Sequence, residues 1–82
     1  MLDEALEHLV RGIVTHPDEV QVQERNRRRG PVLEVRVHPD DLGKVIGRAG
    51  RTATAIRTVI NGLSSNTGGG IRVDFLDVDE GR

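Results

Sequence analysis

Two glycines three positions apart, Gly47 and Gly50, divide a run of apolar helical periodicity. Leu42, Val45 and Ile46 precede them at the i, i+3, i+4 spacing of one helix face. Ala53, Ile56, Val59, Ile60 and Leu63 follow on another. A glycine inside a helix costs about 1 kcal/mol relative to alanine, so this pair favours a corner between two helices over one continuous rod. Without a Cβ, the backbone can turn sharply and another molecule can approach it closely. A turn that opens a helix also presents unpaired N–H groups at the positive end of the helix dipole, which suits a phosphate. Lys44, Arg48 and Arg51 bring cations to the same stretch.

Around that corner the chain reads as α-β-β-α-α-β. Leu2, Leu6, Leu9, Val10, Ile13 and Val14 form a helical stripe, expected to run until His16-Pro17 stops it. Val20 and Val22 alternate with polar residues as a first strand, and Leu33, Val35 and Val37 as a second. Between them, Arg25-Asn26-Arg27-Arg28-Arg29-Gly30-Pro31 reads as a polar hairpin loop. Pro39 at a first helical position, followed by Asp40 and Asp41, starts the second helix. Ser64 to Gly70 is a loop, and Ile71, Val73 and Phe75 mark a last strand. A hairpin is antiparallel, whereas the strand–helix–helix–strand path is a crossover that favours parallel pairing. The expectation is an α+β domain over residues 1–78: a mixed three-stranded sheet with three helices on one face. Glu34, Arg36, Arg72 and Asp74 would lie on the open face, and residues 79–82 would form a frayed tail.

The net charge of −1 conceals an uneven distribution. Residues 1–24 carry one Arg against six acids, residues 25–57 nine Lys/Arg against three, and residues 58–82 two against four. The glycine corner therefore lies in a basic island, the arrangement that matters for binding a polyanion. There is no cysteine, hence no disulfide and no thiolate metal site. No apolar run reaches the roughly 18–20 residues of a membrane span. Asp3, Glu4 and Glu7 stand where a signal peptide would be basic, so a cytoplasmic location without membrane insertion is expected. No His/Cys/Asp/Glu spacing suggests a metal, and neither a cofactor nor a catalytic constellation is expected. His8 falls on the solvent side of the first helix, and Asp40-Asp41 reads as helix-start acids rather than a catalytic pair. The likeness of His16-Pro17-Asp18-Glu19-Val20 to His38-Pro39-Asp40-Asp41-Leu42 is read as coincidence, because one ends a helix and the other begins one.

A G-x-x-G alone is a weak signal, common at ordinary helix corners. Here Ile46-Gly47-x-x-Gly50-x-x-Ala53-x-x-Ile56 resembles the signature of KH domains, which clamp single-stranded nucleic acid with such a loop between two helices. The element order resembles the type II, prokaryotic arrangement. The basic hairpin, His38-Pro39-Asp40-Asp41-Leu42-Gly43-Lys44 and Gly50-Arg51-Thr52-Ala53-Thr54-Ala55-Ile56-Arg57 are similar to the small stand-alone bacterial KH proteins of the KhpA type. The resemblance covers nearly the whole chain. It implies a non-catalytic RNA-binding protein with broad targets, active in RNA chaperoning and post-transcriptional control. It also implies a homodimer, or a heterodimer with a KhpB-like KH protein, linked to cell shape and cell-wall synthesis.

On physical grounds the N–H groups of Arg48, Ala49 and Gly50 are expected to face phosphates, with Gly47 and Gly50 allowing close approach. Lys44, Arg48 and Arg51 would add electrostatic attraction. Ile46 and Ala53 would floor the groove, while Ile56 reads as core and Arg36 as solvated. Arg27, Arg28 and Arg29 are auxiliary candidates at the hairpin. Phe75 is the one residue among Phe, Tyr and Trp; it alternates with core positions and reads as buried, so bases cannot stack on an exposed Phe, Tyr or Trp. That implies modest sequence specificity. Two other readings compete. A nucleotide-binding enzyme needs G-x-x-x-x-G-K-[ST] directly after a strand, whereas Lys44 precedes the turn and a helix leads into it. A dimerisation or scaffold protein with a vestigial G-x-x-G is the main alternative; no small-molecule substrate is implied.

Overall fold

The computed structural model describes residues 2–28, 30–63 and 71–79. The anticipated Ser64–Gly70 loop, Arg29 and the tail residues 80–82 lie outside the described residues. The first helix, α1, spans Leu2–Arg11 and buries Leu6 and Val10 completely. It stops at Gly12, well short of the His16-Pro17 boundary expected from sequence. Gly12 is a poor helix residue, and β-branched Ile13 and Val14 follow it. The chain tightens there, Ile13 N–H donating to the Val10 carbonyl at 3.0 Å. The apolar stripe continued past the helix because Val14 still packs against the core from the turn.

A 3₁₀ turn over Pro17–Glu19 then leads to buried Val20 and the sheet. Strand β1 (Gln21–Arg27) pairs antiparallel with β2 (Gly30–Val37), from Gln21 opposite Arg36 to Arg27 opposite Gly30. Arg25, Asn26 and Arg27 therefore belong to the strand, not to the hairpin loop that their polarity suggested. β1 is an edge strand, where charged side chains are ordinary and even protective, and backbone pairing does not depend on their polarity. Helix α2 spans Pro39–Ile46 and α3 spans Arg51–Leu63. The crossover returns to β3 (Arg72–Asp77), which lies parallel to β2 with Leu33 beside Val73 and Val35 beside Phe75. The sheet order is β1-β2-β3, so the mixed sheet is as anticipated.

Alternation along the central strand turns Leu33, Val35 and Val37 to one side, where Leu6, Val10, Val45, Ile56, Ile60 and Val73 join them in a single core. All three helices thus cover one face. Asn61 fastens α3 to the start of β3: its Nδ2 donates to the Ile71 carbonyl (3.1 Å) and its Oδ1 accepts from Ile71 N–H (2.8 Å). Arg57, one of the cations of the basic island, is used the same way. Its Nε donates to the Val73 carbonyl at 3.1 Å, and its guanidinium stands 5.2 Å from the centre of the Phe75 ring. Phe75 is half-buried rather than fully enclosed, with Arg57 over its ring.

The open face also departs from expectation. Glu34 is only 8% exposed, and the Arg36 side chain is largely covered instead of solvated. Both belong to a cluster in which arginines converge on the Glu34 carboxylate.

Candidate functional site

The corner between α2 and α3 is built by positive-φ backbone. Gly47 (φ 75°), Ala49 (φ 56°) and Gly50 (φ 75°) all lie in the left-handed half of the map. The helix closes on Gly47, whose N–H donates to the Gly43 carbonyl at 2.9 Å. A short 3₁₀ turn, Arg48–Gly50, then hands the chain to α3. The two glycines differ in what requires them. A Cβ on Gly47 would stand 2.8 Å from Thr52 Cβ and 2.9 Å from Thr52 N, against its Oγ1 as well. A Cβ on Gly50 would meet open space, so only its φ favours glycine there.

Within the turn, Gly50 N–H donates to the Gly47 carbonyl (3.2 Å) and Arg51 N–H to the Arg48 carbonyl. The Gly50 amide, expected to face a ligand, is thus engaged internally. Arg48 and Ala49 form the exposed tip, with Gly47 and Gly50 half-buried behind them. Lys44 and Arg51 are exposed on either side, and Ile46, 38% exposed, places an apolar surface beside the turn. Ala53 is 3% exposed and Ile56 5%, both on the inner side of α3. The structure therefore brings Lys44, Ile46, Arg48, Ala49 and Arg51 together at the surface and sets Ala53 among buried residues. Arg27 and Arg28 lie elsewhere, at the end of the β1–β2 hairpin remote from the β2-to-α2 junction.

Two helices meeting at a glycine turn, set on an α-β-β-α-α-β frame, are matched over residues 3–75 by the family model for the KH domain of KhpA and KhpB. This chain belongs to the KhpA/KhpB KH-domain family. It is 68% identical over 82 residues, the whole of both chains, to the RNA-binding protein KhpA of Streptomyces coelicolor. It is 61% identical over 77 residues to that of Mycobacterium tuberculosis H37Rv, covering 94% of this chain and 92% of the relative. With the more distant KhpA of Halalkalibacterium halodurans it shares 42% over 72 residues, or 88% and 95% of the two chains. The family carries a binding fold rather than a catalytic one. Among the described residues no group of acidic, histidine or cysteine side chains is placed to hold a metal, and no helix is long and apolar enough to cross a membrane.

At the other end of α2 from the glycine turn stands Asp41, which in the sequence reads only as a helix-start acid. Asp41 is completely buried. Its Oδ1 accepts from Thr15 N–H (3.0 Å) and Thr15 Oγ1 (2.7 Å), and its Oδ2 from His16 N–H (2.9 Å). His16 Nδ1 lies 2.9 Å from the same Oδ2, a geometry that assigns the proton to Nδ1 as donor. Burial opposes ionisation of this carboxyl. The bonds from Thr15 and His16 more than offset it and hold Asp41 well below the usual carboxylate range. The His16 ring stacks on His38, centroids 3.9 Å apart. His38 in turn caps α2, its Nδ1 accepting from Asp40 N–H at 3.0 Å. The two His-Pro-Asp segments meet here in different roles, His16 bonding to Asp41 and His38 capping α2. Lys44 Nζ lies 3.9 Å from Asp41 Oδ1, which links the buried anion to a cation beside the glycine turn.

Proposed function

We propose that this chain binds single-stranded RNA without catalysing a reaction, holding the backbone at the Gly47–Gly50 turn. The observation that carries this reading is the exposed Arg48-Ala49 tip, flanked by Lys44 and Arg51 and raised on a positive-φ turn. Because Gly50 N–H is engaged within the turn, the amides assigned to phosphate are those of Arg48 and Ala49. Gly47 permits close approach, Lys44, Arg48 and Arg51 supply attraction, and Ile46 offers the apolar surface on which a base lies. Ala53 contributes from within, by letting α3 pack close. A KH groove takes about four nucleotides, so one copy binds weakly. The relatives named above are RNA-binding proteins, which supports the same ligand here.

Phe75, the one residue among Phe, Tyr and Trp, lies under Arg57, and the His16 and His38 rings stack on each other, so base recognition rests on aliphatic contacts and hydrogen bonds. That suits a broad-target RNA chaperone or post-transcriptional regulator working in the cytoplasm, with cell shape and cell-wall synthesis downstream. Val59 (46% exposed) and Leu63 (61%) lie one turn apart on the outside of α3. They support assembly as a homodimer or with a KhpB-like partner, and they are the feature favouring the scaffold reading.

The double variant Arg48→Asp, Ala49→Asp tests the assignment. Aspartate tolerates the left-handed conformation at position 49 better than most residues, so circular dichroism should show an intact fold. Two carboxylates at the tip should then abolish measurable binding of a short single-stranded RNA. Wild-type affinity should fall steeply with added salt. Unchanged RNA binding by the folded variant would remove the loop from the mechanism and leave the scaffold reading.

A further inference from the structure

Among the described residues, the sheet face turned away from the helices carries four arginines. Alternation and register place Arg25 and Arg27 of β1, Arg36 of β2 and Arg72 of β3 on it, with Glu34 and Asp74 between them. Three of the guanidiniums surround one carboxylate: Arg25 Nε lies 2.7 Å from Glu34 Oε1, Arg27 Nη2 3.4 Å from Oε2 and Arg36 Nη2 3.8 Å from Oε1. Arg72 Nε meets Asp74 Oδ1 at 3.1 Å. Glu34 is held below the usual carboxylate range, chiefly by the Arg25 hydrogen bond acting against burial. It is therefore a permanent anion at neutral pH.

Four cations against two anions leave the face with an excess of two positive charges. The acids hold the guanidiniums in place without cancelling them. Each guanidinium has five N–H donors, and the bonds to Glu34, Gln23 and Asp74 engage two in Arg25, one in Arg27 and one in Arg72. The side chains of Arg25, Arg27 and Arg72 are 47%, 59% and 69% exposed.

We propose that this open face is a second phosphate-binding surface, which holds the backbone of the same RNA strand beyond the segment gripped at the Gly47–Gly50 turn. It rests on the RNA-binding reading above, and it extends the hairpin candidates Arg27 and Arg28 into a surface crossing all three strands. A polyanion is the occupant the chemistry favours. Arginine also occurs at protein interfaces, but there it accompanies apolar and aromatic surface. The exposed large apolar side chains among the described residues, Ile13, Ile46, Val59 and Leu63, all lie off this face, whose exposed side chains are charged or polar. Arg25 and Arg27 follow each other at two residues along an extended strand, about 6.8 Å, close to the spacing of successive phosphates in an extended single strand. Guanidinium also matches the oxygens of a phosphate in pairs. The turn uses residues 44–51 and the sheet face uses Arg25, Arg27, Arg36 and Arg72, so the two surfaces share no residue and can be disabled separately.

The test uses the full chain and two labelled RNAs, one of about four nucleotides and one of roughly twenty, since a KH groove holds about four. Arg25→Gln, Arg27→Gln is the first variant. Because it strips Glu34 of two partners, Arg72→Gln on a different strand is the second, and thermal melting establishes that each is folded. The double variant should bind the long RNA about tenfold more weakly and flatten its slope of log affinity against log salt by about 1.4; Arg72→Gln should flatten it by about 0.7. Binding of the short RNA should not change in either. If the double variant does not fold, Arg72→Gln decides alone. Unaltered long-RNA affinity and slope in the folded variants would overturn the proposal. So would a change confined to self-association in sedimentation, which would make the face a protein contact. Failure of the turn itself reads out elsewhere, as short-RNA binding that survives Arg48→Asp, Ala49→Asp.

Discussion

The two ends of α2, roughly 12 Å apart along its axis, handle polar groups in opposite ways. At the first, Asp41 is buried and takes donors from Thr15 and His16, while the His38 ring caps the helix and stacks on His16. At the second, the helix runs out into a positive-φ turn whose tip, Arg48-Ala49, faces solvent. One end directs its polar groups inward and so sets where the helix starts. The other directs them outward and so can meet a ligand. A clamp built from backbone needs a rigid mount, because amides lose their aim if the helix that carries them shifts.

The largest effect should come from Asp41→Ala. It leaves the Thr15 and His16 amides without their acceptor inside the protein, and each stranded donor is costly. The thermal midpoint should fall by about 10 °C or more, and RNA binding at a temperature where the variant stays folded should weaken although no ligand contact is removed. A variant that melts like the wild type would break the contrast between a mounting end and a presenting end.

The glycines sharpen it next. Gly47→Ala adds both left-handed strain and a clash with Thr52, so it should cost about 2 kcal/mol or more. Gly50→Ala faces open space and pays the backbone strain alone, about 1 kcal/mol. Chemical denaturation of the pair reads the difference, and equal losses would mean that Thr52 yields freely.

The smallest effect is in acid. Asp41 and Glu34 both have lowered pKa values in the folded chain, so the unfolded chain takes up protons first as pH falls. Their stabilisation is complete above the ordinary carboxylate range near pH 4 and is lost as pH drops below it toward the lowered native values. The thermal midpoint should not respond to these two groups between pH 7 and 5, and should decline below 4. Asp41→Asn should remove its share of that decline. An equally steep acid limb in the variant would assign the decline to other carboxylates.

What the sequence made legible follows the same division. The presenting end was readable because its requirements are local: two glycines, their spacing and nearby cations announce a turn with an accessible backbone. The order of elements was readable from apolar periodicity, which burial on one face of a sheet imposes directly. The mounting end was not readable. Asp41 looks like any acid in a first helical turn, and its burial depends on Thr15 and His16, some 25 residues earlier. Arg25 and Arg27 read as loop in the sequence and pair as strand in the fold, because polarity is a poor guide to pairing in an edge strand. Arg57 looked like part of the basic surface until the strand beside it supplied a carbonyl and a ring.

The central claim is that the Arg48 and Ala49 amides are the contact point for an RNA backbone while the Asp41 cluster holds still. Amide chemical shifts, followed by NMR as a four-nucleotide single-stranded RNA is titrated in, test it most directly. The account predicts the largest displacements at Arg48 and Ala49, smaller ones at Ile46 and Arg51, and almost none at Thr15, His16 and Asp41. Displacements centred on the outer face of α3 around Val59 and Leu63, with Arg48 and Ala49 unmoved, would contradict it.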